Sequence, residues 1–503
     1  MQLTDSDKQQ LEQLGISEDT LRQQLTQFEI GFPFVRLDRP ATPGDGIVQL
    51  DQPGASKLAA SYDQFFQHLQ VAKMVPASGA ASRMFKSLHH FLSTPDSETP
   101  SNEVLQFVQE IDRFAFTSLL EEQLRSTGKN LQQCLEVKDH KSIVEAVLDV
   151  KQLGFGQSPK ALIPFHSNGE LTRTALEEHF VEAIAYAQNN GGATVIHFTV
   201  AEEHLERVKQ HVAAVRGRYE AGAGTQMEIT YSTQSIATNT VAVDLDNRLY
   251  RDQDDKLLFR PAGHGALLSN LEQIRADIVF LKNIDNVAQD WLKPDTVLYK
   301  KALAGLLLTL QTQIFEWIKR LRKADLAEGD WDALRNFVTE ELGLSATAPE
   351  DLAAWIDLLN RPIRVCGMVR NEGEPGGGPF WVREESGAHS LQIVEKAQVQ
   401  MEDPQQAAML LKSTHFNPVD LICAFRDVDG NAFPLEDFRD PQTGFITEKS
   451  HAGSPIKSME LPGLWNGAMA RWITVFVEVP ITTFNPVKTV NDLLKSAHQP
   501  KVL

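Results

Sequence analysis

With 503 residues, 42 % of them hydrophobic, the chain has enough apolar material for two to four structural units around a large buried core. Its formal net charge of −19 and pI of about 5.2 exclude a general nucleic-acid partner, because backbone binding needs a basic surface; any nucleotide must be met by a local basic pocket. Cys134, Cys366 and Cys423 lie far apart without a C-x-x-C pair, no apolar run reaches the length of a membrane span, and the polar N-terminus lacks a signal core. These features predict a soluble protein of a reducing cytoplasm, with no membrane partner.

In chain order, residues 1–70 read as a helical N-terminal extension with a Pro/Gly-rich crossing at 33–53. A short strand at 71–75 ends at Pro76, and a small-residue turn follows: Ala77, Ser78, Gly79, Ala80, Ala81 and Ser82, then Arg83 and Lys86. Small side chains let backbone N–H groups approach an anion, and a helix running on through Met84, Leu88 and Phe91 adds its positive dipole end. Arg83 supplies a planar donor fork and Lys86 a compact charge, a combination suited to phosphate. Such turns also join strand to helix in many α/β proteins, so the turn by itself does not specify a ligand. Neither the Rossmann glycine spacing nor the P-loop is matched.

A polar break at 93–102 introduces a helical insertion, about 95–153, with apolar residues at Val104, Phe107, Val108, Ile111 and Phe114. Beyond it Pro159-Lys160 places another lysine beside a proline, to be brought back to the turn by folding and not by local sequence. From residue 162 helices (172–189, 202–215, 265–275) alternate with strands (194–200, 227–231, 277–281), which predicts an α/β fold with a mostly parallel sheet covered on both faces. Gln234 follows one of these strands, and the glycines of Pro261-Ala-Gly263-His264-Gly265 let the backbone approach a flat ligand such as a base. The strand at 277–281 leads to Asp285-Asn286 at the carboxyl edge, where α/β proteins bind ligands. Asp285 either holds Mg²⁺ together with substrate phosphates or caps a following helix.

Residues 296–360 read as a helical insertion whose apolar stripe at 298–321 is a packing face. Strands at 363–369, 380–382, 391–394, 421–425 and 473–479 follow. The glycine run containing Gly377, within 372–381, marks a loop whose backbone comes close to a ligand or to protein. Further on, Lys457 and Lys488 are candidates for a second phosphate, or else solvated surface charges, and Trp465 with Asn466 frames a polar ring such as a sugar. Zinc and serine-hydrolase motifs are missing. His204 and His211 lie seven apart on a helix and read as surface or core residues. Asp244, Asp246, Asp252, Asp254 and Asp255 read as a solvated hairpin.

Taken in order, the turn at 76–83, Pro159-Lys160, the stretch 231–234, the turn at 261–265 and Ile284-Asp-Asn286 resemble the UDP-sugar pyrophosphorylases, particularly the UDP-N-acetylhexosamine pyrophosphorylase type of nucleotidyltransferase. The match spreads over roughly residues 70–290 and less clearly over 360–495, and we place it in a bacterial branch of that superfamily. Where the family's loop typically reads Gly-Gly-x-Gly-Thr-Arg, Gly79 stands alone here.

The resemblance implies a Rossmann-like, GT-A type sheet divided into a nucleotide-binding half, 71–295, and a sugar-phosphate-binding half, 361–503. It also implies a Mg²⁺-dependent exchange in which a sugar 1-phosphate oxygen attacks the α-phosphorus of a nucleoside triphosphate, UTP favoured, and pyrophosphate leaves. Implied roles are Arg83 and Lys86 at the departing pyrophosphate, Lys160 at the α-phosphate, Asp285 at Mg²⁺ and Lys457 at the sugar phosphate. Ala77, Ser78, Gly79, Ala80, Gln234, Gly263, His264 and Gly265 would hold the nucleotide, and Gly377, Asn466 and Lys488 the sugar. Two other classes stay open: another phosphate-transfer enzyme such as a kinase or phosphatase, and a non-catalytic sugar-nucleotide sensor.

Overall fold

The computed structural model describes residues 3–501, with 96–98, 170, 345–350, 375 and 385–386 outside the described residues. Parts of the polar break at 93–102, of the helical insertion at 296–360 and of the glycine-rich loop at 372–381 therefore fall outside the described residues. The chain forms two units and passes between them more than once. The first comprises Met1–Phe65, Gln234–Val279 and Leu303–Glu478; the second comprises Phe66–Thr233, Phe280–Ala302 and Val479–Leu503.

In the second unit the strand Val71–Pro76 lies parallel to Ala193–Thr199, and that strand lies parallel to Gln226–Ser232. Ile278–Lys282 takes the place on the other side of Val71–Pro76. Residues 71–75 and 278–282 are buried throughout, which is why these strands read as apolar runs without alternation. The helix Ala175–Tyr186 starts at a capping box between Thr174 and Glu177 and buries Leu176, Phe180 and Ala183. The insertion before Lys160 resolves into the helices Asn102–Gln109, Thr117–Ser126, Leu131–Glu136 and His140–Leu148. Its core is aromatic: the Phe107, Phe114 and Phe116 rings contact one another, and Phe116 meets Phe155 edge-on at 5.4 Å.

In the first unit five strands run in the order Thr42–Pro43, Gly46–Val48, Ile473–Glu478, Ile363–Arg370, Asp420–Ala424. The first four are mutually parallel, and the last pairs antiparallel. The N-terminal helices Asp5–Leu14 and Glu18–Ile30 bury Leu11, Leu21 and Phe28 against Val241, Val243, Leu257 and Met459. Arg251 reinforces the contact with two donors on the Asp7 carboxylate, at 2.9 and 2.8 Å. The apolar stripe expected at 298–321 lies on the 30-residue helix Lys293–Arg322. There Gly305 faces the helix Gln52–Phe65 so closely that a Cβ would overlap the Leu58 carbonyl.

Two local expectations change. The helix expected at 265–275 is a 3₁₀ turn, His264–Leu267, followed by the short helix Leu268–Glu272. Residues 286–289 are not helical, so the reading of Asp285 as a helix cap is corrected: its carboxylate is used by side chains instead.

Candidate functional site

Within the second unit, the carboxyl ends of two neighbouring strands and the C-terminal segment converge on one carboxylate. After Pro76 the small-residue turn is tied down by backbone bonds: Ala77 N–H donates to Thr199 O, Lys160 N–H to Gly79 O and Ala81 N–H to Ser158 O. These bonds bring Pro159-Lys160 against the turn, with Ala80 and Pro159 forming an isolated bridge. Lys160 then reaches Asp285, donating to its Oδ2 at 3.0 Å and to the Val487 carbonyl at 2.8 Å. Lys488 donates to the same Oδ2 at 3.0 Å.

The segment carrying Lys488 is held in register by Asn286. Asn485 N–H donates to Asn286 Oδ1 at 2.9 Å, and Val487 N–H donates to Asp285 O at 3.1 Å. Burial would by itself raise the Asp285 pKa, but Lys160 and then Lys488 outweigh it and hold the carboxyl below its usual value. The result is an ionised carboxylate with two ammonium groups at the edge of the sheet.

Charge also lies beneath this edge. Lys73, from the strand before the turn, and Lys282, from the strand before Asp285, are fully buried and share Glu182 at 2.9 and 2.7 Å. Desolvation brings Lys73 down to about 7, opposed by Glu182 and reinforced by Lys282. Lys73 also donates to the His179 carbonyl, and His179 Nε2 sits 3.2 Å from the Ile284 carbonyl, one residue before Asp285. Burial, then Lys73, depresses the His179 pKa, so its ring is neutral and Nε2–H is the donor to that carbonyl. A buried lysine in each of two apolar strands was a readable signal; that Glu182 and His179 join them was not, because they arrive from a helix.

In the first unit a different polar group forms around His264. Its ring stacks on Trp465 with centroids 4.0 Å apart, and its Nδ1 accepts from Leu464 N–H at 2.9 Å. The surrounding protein desolvates the imidazole and lowers its pKa to about 4. Asn466 donates to Glu395 Oε1 at 2.9 Å, the same oxygen lying 3.9 Å from His264 Nε2. Gly265 is required by packing, since a Cβ would overlap the Pro462 carbonyl. Arg364, fully buried, donates to the Trp465 carbonyl at 2.6 Å and to Thr474 Oγ1 at 2.9 Å, fixing this turn from below. Glu395 escaped the sequence reading because nothing local distinguishes it.

The candidate residues thus fall into groups. Lys160, Asp285, Lys488 and the turn Ala77–Ala80 come together in the second unit. Arg83 and Lys86, just past the turn, are exposed, and their side chains form no ion pair among the described residues. Gln234, Gly263, His264, Gly265, Gly377, Lys457 and Asn466 belong to the first unit. Lys457 is held at a hairpin by the Leu245 carbonyl and Asn247 Oδ1, at 2.9 and 3.0 Å. Gln234 Nε2 lies 3.5 Å from Thr238 Oγ1, and a Cβ at Gly377 would press on Ile393. Among the described residues no three His, Cys, Asp or Glu side chains gather as a metal site, and no helix is long and apolar enough to cross a membrane. Mg²⁺ needs only one or two protein carboxylates when phosphates complete its shell, and Asp285, buried and ionised, meets that minimum.

A family model described as "Domain of unknown function (DUF4301)" matches residues 4–499. No curated protein matches the chain. Among solved structures, the UDP-N-acetylglucosamine pyrophosphorylase of Trypanosoma brucei, in complex with an inhibitor, aligns at 12 % identity and a TM-score of 0.50 over 99 % of this chain and 78 % of that one. A mutant UDP-glucose pyrophosphorylase of Leishmania major aligns at 12 % identity and 0.46, over 98 % and 79 %. At the first of these scores the likeness is one of fold: a mixed α/β, UDP-sugar pyrophosphorylase-like architecture.

Proposed function

The chain belongs to the family described as a domain of unknown function (DUF4301), and from its site we propose that it is a nucleotidyltransferase joining a nucleoside triphosphate, UTP favoured, to a sugar 1-phosphate. The observation that carries the reading is the convergence of Lys160 and Lys488 on buried Asp285 beside the small-residue turn. The shared fold and the resemblance of the motifs support it.

The reaction needs no covalent nucleophile from the protein. A sugar phosphate oxygen forms a bond to the α-phosphorus, the bond from that phosphorus to the bridging oxygen breaks, and pyrophosphate leaves with its electron pair. The barrier lies in bringing two anions together and neutralising charge on the α-phosphate. Asp285 gathers two lysine side chains at one point of the sheet edge, where Lys160 and Lys488 would meet phosphate oxygens. Arg83 and Lys86, exposed beyond the turn, suit the departing pyrophosphate. Asp285 would hold Mg²⁺, which supplies further neutralisation of phosphate charge when bound.

In the first unit Glu395 offers an acceptor for sugar hydroxyls, with Asn466 donating to it and positioning it, and Trp465, stacked on His264, an apolar surface. Lys457 is assigned to the sugar phosphate, and the turns around Gln234 and Gly263–Gly265 to the base.

The test is pyrophosphate release from each ribonucleoside triphosphate and dTTP, with Mg²⁺ and a panel of sugar 1-phosphates. Release that depends on one sugar phosphate, and falls at least 100-fold in Lys160→Ala with an unchanged circular dichroism spectrum, is the expected result. Release of ADP or inorganic phosphate would make the protein a kinase or phosphatase. Nucleotide-dependent stabilisation without turnover would make it a sensor.

A further inference from the structure

A cavity of about 840 Å³ in the second unit lies on the small-residue turn yet includes none of Lys160, Asp285 and Lys488. Its lining includes Ala80, Ser82, Gln157, His204 and Arg207, together with Glu203. Two parts of its lining, Ala80 to Ser82 and Glu203 to Arg207, follow in sequence from the carboxyl ends of the adjacent parallel strands Val71–Pro76 and Ala193–Thr199, the edge at which α/β sheets receive ligands. Its size is that of a small-molecule site.

Three features give it a chemical sense. Arg207 stands in the first turn of the 19-residue helix Leu205–Ala223, whose N-terminus has no side-chain cap. Its Nη2 donates to Ser158 Oγ at 2.9 Å, and that buried hydroxyl, already donating to Gly154 O, can only accept. Among the described residues the guanidinium has no carboxylate partner, so its charge is anchored but not neutralised. His204 is 7 % exposed, and its Nε2 makes no hydrogen bond; the nearest carboxylate, on Glu203, is 3.9 Å away and 75 % exposed to water. A fixed guanidinium, a helix N-terminus and a buried imidazole lacking a partner together fit an oxyanion of phosphate type.

We propose that this cavity is a second phosphate-binding site, separate from the Asp285 centre, with Arg207 and His204 as its principal contacts. The phosphate is either the terminal part of the nucleotide bound at the turn or a separate phosphorylated ligand.

The experiment is calorimetric titration of inorganic pyrophosphate into the full-length Lys160→Ala protein, in which the Asp285 centre has lost one of its two lysines, so that dependence on Arg207 reports the cavity. Binding should persist there, fall at least tenfold on adding Arg207→Ala and recover in part with Arg207→Lys; His204→Phe should also weaken it. Arg207 is exposed, so its variants test charge and not folding. Absence of pyrophosphate binding at millimolar concentration, or binding indifferent to Arg207→Ala, overturns the proposal. Displacement by nucleoside triphosphate would identify the bound group as the nucleotide's tail. Simultaneous binding of both would identify a separate ligand. If the protein proves to release no pyrophosphate in turnover, this titration still decides the cavity on its own.

Discussion

Lys488 and Asp285, 203 positions apart in the sequence, meet at 3.0 Å, and Lys160 shares the same carboxylate oxygen. The two lysines are not equivalent: the Lys488 side chain is 63 % exposed and that of Lys160 13 %. Exposed pairs contribute little to stability, whereas a buried charge stripped of its partner is costly. Lys488→Ala should therefore unfold within about 0.5 kcal/mol of wild type while turnover drops at least tenfold. Asp285→Ala, which leaves Lys160 without its carboxylate, should lose about 3 kcal/mol in urea denaturation. Equal stability losses in the two variants would contradict this asymmetry.

The buried Lys73–Glu182–Lys282 cluster makes a second, sharper prediction. Glu182→Gln removes the carboxylate shared by two lysines buried away from water and should cost about 3–5 kcal/mol. Because His179 holds the carbonyl before Asp285 and is itself braced by Lys73, the variant should also lose nucleotide affinity. A variant with wild-type denaturation midpoint would show that the cluster is not charged as described.

Acid should destabilise the protein well above the pH at which carboxylates titrate. Burial lowers the His197 pKa to about 4, and burial, then His166, lowers that of His498 to about 3. Unfolded, both titrate near 6.5, so above that value neither state takes up protons and stability is full. As pH falls below 6.5 the unfolded chain gains protons that the folded one refuses, and stability declines by roughly 1.4 kcal/mol per pH unit for each histidine. Below about 4, protonation of carboxylates with depressed pKa, such as Asp285, adds to the loss. Thermal melts between pH 8 and 4 should show a midpoint that starts to drop near 6.5; a midpoint constant down to pH 4.5 would contradict the buried neutral rings.

Two glycines should differ in their response to alanine. A Cβ at Gly79 would meet nothing within 4 Å, so Gly79→Ala should shift stability by no more than about 0.5 kcal/mol. At Gly265 a Cβ would run into the Pro462 carbonyl, which belongs to backbone and cannot swing aside, so Gly265→Ala should cost about 1–3 kcal/mol. Differential scanning calorimetry of the pair decides it.

The sequence by itself determined the α/β pattern, because strands buried on both faces, such as Val71–Pro76 and Ile278–Lys282, must be largely apolar and without alternation whatever they pack against. It also singled out the turn, Lys160, Asp285 and Lys488, since small residues after a strand and a carboxylate after another are local features. Their partnership was not local. Lys488 read as a sugar contact and Asp285 as a metal ligand or helix cap, and only the backbone bonds from Asn485 and Val487 to Asn286 and Asp285 put the two side chains on one another. Glu182, His179, Glu395 and Arg207 stayed invisible for the same reason. A charged side chain on a helix or loop carries no sequence mark of burial or anchoring, and its role is decided by which distant groups the tertiary structure delivers to it.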